Sequence, residues 1–333
     1  MGMEELNMKK ILMLLLAVLV LAGCGTANTD NSNNETEKSY KAAVASYTTV
    51  SSKDVTDGAG SAEVVTTYAA VVVDAEGVIK YVHFDTAQNT AKIDGEGKVA
   101  LTANSTKREL GENYGMSTYA KTNEWDKQVA HLENYMIGKN IADVLTMELD
   151  GGFHSVDADV LSGCTIGLNE FVMSLDKANQ NLIEVTGAVH AYAGSDTTVS
   201  SKDVTDGAGS AEVVTTFGLV LTDAEDKVVF ASFDTAQNTA KIDGEGKVAL
   251  TANSTKKELG DNYGMGKYAA NGEWNKQINH LESTMIGKTV AEFTGAALDD
   301  AGKSLDADVL SGCTVHVSEF VEVLNSSFKS EVK

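Results

Sequence analysis

Apolar positions follow two different periods along the chain. Residues 68–85, YAAVVVDAEGVIKYVHFD, hold two β-rich runs on either side of Asp74-Ala75-Glu76-Gly77, which predicts a hairpin. Residues 90–102, TAKIDGEGKVALT, repeat that arrangement around Asp94-Gly95-Glu96-Gly97. The stretch with Gly111, Tyr114, Gly115 and Met116 has little periodicity and reads as a loop. From residue 123 the period changes. Trp125, Val129, Leu132 and Met136 fall on one helical stripe, with Asn123 as candidate N-cap and Gly138 as the end. A shorter helix is expected around Ile141 to Met147. A last one is expected within residues 166–180, with Asn169 as N-cap and Phe171, Val172 and Leu175 facing inward. Strands first and helices after them predict an α+β domain, an antiparallel sheet with helices packed on it.

The whole pattern occurs twice. Phe84–Lys107 is identical to Phe233–Lys256, and the string TTVSSKDVTDGAGSAEVVTT begins at Thr48 and again at Thr197. One constant offset relates these segments and also relates Thr165 to Thr314. The unit is too long for a solenoid repeat, so it is a duplicated domain. The expected boundaries are 41–185 and 190–333. The second copy keeps the helical stripe as Trp274, Ile278, Leu281 and Met285, and places Ser318 at the second cap. Of the histidines, only His131 and His280 correspond, which argues against a repeated site built on several histidines. Both fall off the apolar stripe and are expected to face solvent. Trp125 and Trp274 are expected to anchor the core.

The N-terminus departs from this pattern. Lys9 and Lys10 precede an apolar run, Ile11–Leu21, which leads into Leu21-Ala22-Gly23-Cys24. A basic segment followed by a short apolar one is a secretory signal, and the run is too short for a comfortable transmembrane helix. The ending resembles a bacterial lipobox. Residues 1–23 therefore read as a lipoprotein signal peptide, with Cys24 lipidated after cleavage. Residues 24–40 are rich in Asn, Thr and Ser and read as a disordered tether.

The 333-residue chain has a formal charge of −22, which argues against nucleic acid and against electrostatic docking on anionic lipid. The expected location is the extracytoplasmic face of a bacterial membrane, reached through the lipid anchor. The two remaining thiols, Cys164 and Cys313, are too few for a disulfide scaffold and are expected to be buried and free. No zinc-ligand spacing, EF-hand loop, P-loop or catalytic triad is visible, and no metal or catalytic residue is assigned.

The remaining signal is the string DADVLSGCT, at Asp157–Thr165 and again at Asp306–Thr314. It stands just before a helix. A Ser-Gly pair there suits a tight turn that brings backbone amides toward an anion such as phosphate, and a threonine hydroxyl could bind or be joined to that phosphate. It is equally the sequence of a polar turn that caps a helix.

D-x-x-S-G-C-T resembles the D-x-x-S-G-A-T signature of bacterial FMN-binding domains. These domains occur in the C subunit of sodium-pumping NADH:quinone reductases and in flavinylated surface lipoproteins. The resemblance extends upstream through Glu109-Leu110-Gly111, Trp125-x-x-Gln128 and Gly138-Lys139, and through the same series in the second copy. It implies FMN joined to Thr165 and Thr314 by a phosphodiester bond that a flavin transferase installs. Ser162, Gly163, Ser311 and Gly312 would form the phosphate turn, with Asp159 and Asp308 as the motif acids. Apart from the resemblance, Tyr114, Met116, Tyr263 and Met265 are of types that suit the surface of a flavin ring, and equally of types that pack an ordinary loop. The chain departs from the family in two ways. Cysteine precedes each threonine, and Ile166-Gly167 and Val315-His316 replace the usual Thr-Ser pair. The implied function is an electron carrier that works with membrane or surface redox partners. The alternative is a lipid-anchored binding or structural protein that keeps the fold and has no flavin.

Overall fold

The computed structural model describes residues 38–120 and 122–333. The signal segment 1–23, Cys24 and most of the tether lie outside the described residues. The described residues form one compact unit built from two similar halves.

The first half opens with three long strands, β1 (Ser39–Thr56), β2 (Ala59–Asp74) and β3 (Ile79–Asp94), followed by the short β4 (Val99–Ala100). Helices follow: α1 (Lys107–Leu110), α2 (Met116–Ala120), α3 (Trp125–Met136), α4 (Ile141–Leu145), α5 (Ala158–Leu161) and α6 (Asn169–Asn179), before β5 (Ile183–Thr186) closes the half. The second half has β6 (His190–Thr205), β7 (Ala208–Thr222), β8 (Val228–Asp243) and β9 (Val248–Ala249). Its helices are α7 (Lys256–Leu259), α8 (Trp274–Met285), α9 (Val290–Thr294), α10 (Ala307–Leu310) and α11 (Ser318–Asn325), and β10 (Phe328–Glu331) ends it. Each half is one antiparallel sheet, ordered β4-β3-β2-β1-β5 and β10-β6-β7-β8-β9. The expected α+β class and both expected hairpins are present.

Strand β1 was not legible in advance. It is joined to β2 through Asp57-Gly58, both at positive φ (53° and 80°). A two-residue turn of this kind matches the twist of the flanking strands, and Asp-Gly tolerates it. The predicted loop around Tyr114 is a chain of short helical turns. Two predicted caps shift by one residue. Glu124, not Asn123, precedes α3, and Asn169 is the first residue of α6 rather than its cap. Ser318 likewise opens α11.

Each sheet is covered on both faces. One face of the first sheet (Ala43, Ala45, Ala69, Val71, Phe84) packs on Trp125, Leu132 and Leu175 of its own helices. The second sheet does the same with Phe233, Trp274 and Leu281. The opposite faces meet each other: Tyr68, Ala70 and Val72 pack on Phe217, Leu219 and Leu221, with the Tyr68 and Phe217 rings stacked at 5.8 Å. The layers therefore run helix, sheet, sheet, helix. This explains why Thr66–Val73 is buried without interruption, as strands covered on both faces must be. At the far end the hairpins exchange contacts. Val55 N donates to Gly246 O and Val204 N to Gly97 O, both at 2.8 Å. Val248 N donates to Asp54 Oδ1 and Val99 N to Asp203 Oδ1, both at 2.7 Å. Among the described residues no helix is long and apolar enough to cross a membrane.

Candidate functional site

The DADVLSGCT string forms α5 and the turn that follows it. Asp157 caps α5 by accepting from Asp159 N at 2.8 Å, and its other oxygen accepts from Tyr135 Oη. That bond to Asp157 is the main cause that pushes the Tyr135 phenol up to about 12. Ser162 Oγ donates back to Asp159 O at 2.8 Å and closes the turn. His131, reaching over from α3, puts Nε2 2.8 Å from the same carbonyl. A carbonyl only accepts, so Nε2 carries a proton. The imidazole is packed against Gly163, where a Cβ would come within 2.4 Å of the ring. His131 is half-buried, and besides facing solvent in part, as expected, it clamps the motif turn. His280 does the same over Gly312, with Nε2 2.8 Å from Asp308 O. The carboxylates of Asp159 and Asp308 are exposed; their main-chain carbonyls are what the turn uses.

Cys164 and Cys313 are buried and free, as expected. Burial pushes the Cys164 thiol up to about 11 and raises Cys313 in the same direction. Both thiols stay protonated at neutral pH, and sulfur simply fills the space under the turn.

The threonine at the end of the motif is held by a residue that the sequence reading quoted but did not assign to the site. Gln128 Oε1 accepts from Thr165 N at 2.9 Å and from Thr165 Oγ1 at 3.1 Å. Gln128 is fully buried on the apolar face of α3. Its Nε2 is used by Asn123 O at 2.7 Å, Thr122 Oγ1 at 3.1 Å and Met116 Sδ at 3.3 Å. This fixes the amide orientation, because only the carbonyl can then face the threonine. The second half repeats the arrangement. Gln277 Oε1 accepts from Thr314 N and Oγ1 at 2.9 and 3.2 Å, while its Nε2 donates to Gly272 O. The signal in the sequence was a polar residue on the core stripe, three positions after each tryptophan.

Thr314 lies on an open cleft of about 330 Å³ whose walls include Lys256, Tyr263, Met265, Trp274, Lys303 and Glu319. Tyr263 and Met265 are the residues expected to stand there. Lys256 was missed; its Nζ sits 5.4 Å from the Tyr263 ring centroid and 5.3 Å from that of Trp274. Desolvation lowers its pKa. In the first half Lys107 stands 5.3 Å from Tyr114 and 5.7 Å from Trp125. Glu170, also missed, ties α6 to the sheet by accepting from Thr49 and Thr67. Trp125 and Trp274 are buried core anchors whose ring faces also border this region.

One expectation meets a different geometry. Ser162 and Gly163 end a short helix, and α6 starts four residues after Thr165. The amides of Gly163 and Cys164 donate to Val160 O, and that of Thr165 to Gln128. The turn amides are therefore engaged within the protein, and the open polar feature is the threonine hydroxyl beside the cleft. No group of three or more His, Cys, Asp or Glu side chains arranged to hold a metal occurs among the described residues.

Residues 8–24 match the prokaryotic membrane lipoprotein lipid attachment site. That match ends on Cys24 and makes the chain a lipid-anchored, membrane-associated lipoprotein. The chain matches no curated protein and no solved structure.

Proposed function

We propose that each half carries FMN on the last threonine of its motif, Thr165 and Thr314. The protein then relays electrons at the extracytoplasmic face of a bacterial membrane, to which lipid on Cys24 ties it. The observation that carries this reading is the repeated threonine hydroxyl. It is held by a buried glutamine and stands, in the second half, at the edge of a cleft walled by an aromatic ring, a thioether and an ammonium group. These residues fit a flavin nucleotide. Tyr263, Met265 and Trp274 offer polarizable surface for a planar ring, and Lys256 and Lys303 offer positive charge for a phosphate. The glutamine carbonyl fixes the direction of the threonine O–H. When bound, FMN supplies one- and two-electron redox chemistry, while the chain supplies orientation and retention outside the cell. A flavin transferase would install it, and membrane or surface redox partners would exchange electrons with it.

The closed turn amides favour a second reading, a lipid-anchored binding or structural protein without flavin. Co-expression with a flavin transferase separates the two. The denatured chain should fluoresce in a gel and carry two FMN-sized mass increments. Thr165→Ala and Thr314→Ala should each remove one. A chain with no increment would establish the second reading.

A further inference from the structure

The seam between the two sheets contains a pair of corresponding positions that the two halves fill differently. On one side His83 is 4% exposed, with its ring centroid 5.2 Å from that of Phe328 and 5.9 Å from that of Tyr68. Arg108 Cζ lies 5.5 Å from the Phe328 centroid and is paired with Glu133 at 2.6 Å. On the other side the repeat offset puts Ser232 for His83, Phe217 for Tyr68, Lys257 for Arg108 and Glu282 for Glu133. Phe328 has no aromatic counterpart there. Helix α6 has 11 residues and α11 only 8, so the chain reaches the sheet edge earlier after α11. Strand β10 pairs Phe328 with Ala193, the position of Val44, whereas β5 begins by pairing Ile183 with Ala42. Asn181 and Leu182 border the space instead.

The result is a cavity of about 390 Å³ between the halves, lined by Ser46, Asn181, Leu182, Phe230, Ser232 and Lys257 among others. Ser232 stands in place of the imidazole, and Asn181 and Leu182 border the place of the phenyl ring without filling it. The Ser46 hydroxyl on its wall is 2% exposed and makes no hydrogen bond, as is true of its buried counterpart on the filled side, Ser195. The charges around it are used but unbalanced. Lys257 is bound to Glu282 at 2.6 Å and Lys177 to Glu258 at 2.8 Å. Asp234 accepts from Thr255 Oγ1 and from the amides of Thr235 and Lys257. Of the groups that line the cavity, Asp234 and Glu258 are carboxyls and Lys257 is an ammonium, so the wall disfavours an anion.

We propose that this cavity is a binding site for a small planar nitrogen heterocycle, neutral or cationic. Its ring takes the space that His83 and Phe328 fill on the other side, and its N–H is met by the Ser46 hydroxyl and the acidic wall. The site lies in the seam, apart from both threonines, and does not depend on flavin.

Imidazole is the probe, because it is the group that the second half lacks. It is titrated into the mature chain at about pH 8, where it is neutral, while the amide signals of β1 and β8 are followed by NMR. The shifts should saturate with a dissociation constant of about millimolar, as expected for so few heavy atoms, and should centre on residues 43–46 and 230–234. Acetate should not reproduce them. Ser232→His and Asn181→Phe each refill the cavity, and each should weaken binding by about tenfold or more. Shifts that never saturate, that centre elsewhere, or that survive both substitutions unchanged would overturn the proposal.

Discussion

At Gln128 the fold buries a side-chain amide and uses both of its ends. Its NH2 group is committed to Asn123, Thr122 and Met116, so its carbonyl must serve the amide and hydroxyl of Thr165. Gln128→Leu keeps the volume and removes the acceptor. It should cost about 1–3 kcal/mol in urea unfolding, the range for stranded polar groups. In the co-expression assay it should lower flavin incorporation at Thr165 while leaving Thr314 loaded. Equal loss at both sites would mean that the glutamine acts only through global stability. A second residue-scale prediction concerns Gly163. An alanine there would place Cβ 2.4 Å from the His131 ring and force the imidazole off Asp159 O. The expected cost is about 1–3 kcal/mol for overpacking. In the background of His131→Ala it should be much smaller, and the double-mutant cycle reads that coupling directly. His131 itself could not be placed from the sequence. It lies off the apolar stripe of α3, and what covers it is a turn 28 or more residues later in the chain, which periodicity does not report.

Among the elements, α3 was legible because four apolar residues at helical spacing have one physical explanation. Its cap was less so. The Glu124 carboxylate accepts from the amides of Met116 and Ser117, so it organises the preceding segment rather than its own helix. Strand β1 escaped notice because its inward positions are small (Ala42, Ala43, Ala45) and its far half is Ser- and Thr-rich. Alanine is sufficient at Ala42 because the second sheet comes close, and at Ala43 and Ala45 because the helices of the same half do. Helix α3 also carries Glu133, which joins it to β3 by accepting from Phe84 N at 2.7 Å and from Arg108 at 2.6 Å. Burial pushes this carboxyl up to about 7, against the pull of Arg108. The folded state therefore holds a proton that the unfolded state releases near the ordinary value of 4.5. Its contribution is fully present below that value and is lost as pH rises to about 7. Asp85, pushed by burial up to about 6, acts in the same direction. His83, held well below its ordinary value by burial, acts oppositely because the unfolded chain gains its proton below about 6.5. The comparison that isolates Glu133 is with Glu133→Gln. Between about pH 4.5 and pH 7.5 wild type should lose about 1–3 kcal/mol relative to the variant. Parallel stability curves for the two proteins across that window would mean that Arg108 holds the carboxyl at its ordinary value.

At the scale of the molecule, the duplication was plain in the sequence but its consequence was not, because the face each half turns to the other is made of residues that also read as one ordinary core. Tyr68, Ala70 and Val72 alternate with Ala69, Val71 and Val73, and nothing in the alternation says that both sets are covered. The hairpin exchange at the far end uses Val55, Asp54, Gly97 and Val99 from one half and Val204, Asp203, Gly246 and Val248 from the other. These two sets occupy identical segments of the repeat. A single half therefore contains both sides of that exchange and can make it with a second copy of itself. It also carries an apolar sheet face that cannot stay in water as a monomer, since such a patch drives association. Residues 38–187 expressed alone should be a homodimer by light scattering, related by a two-fold axis as isologous contacts require. Asp54→Ala removes one acceptor in the full chain but would remove two in the homodimer, so it should destabilise the isolated half about twice as much. A half that is monomeric and as stable as the full chain would show that the seam contributes nothing to folding.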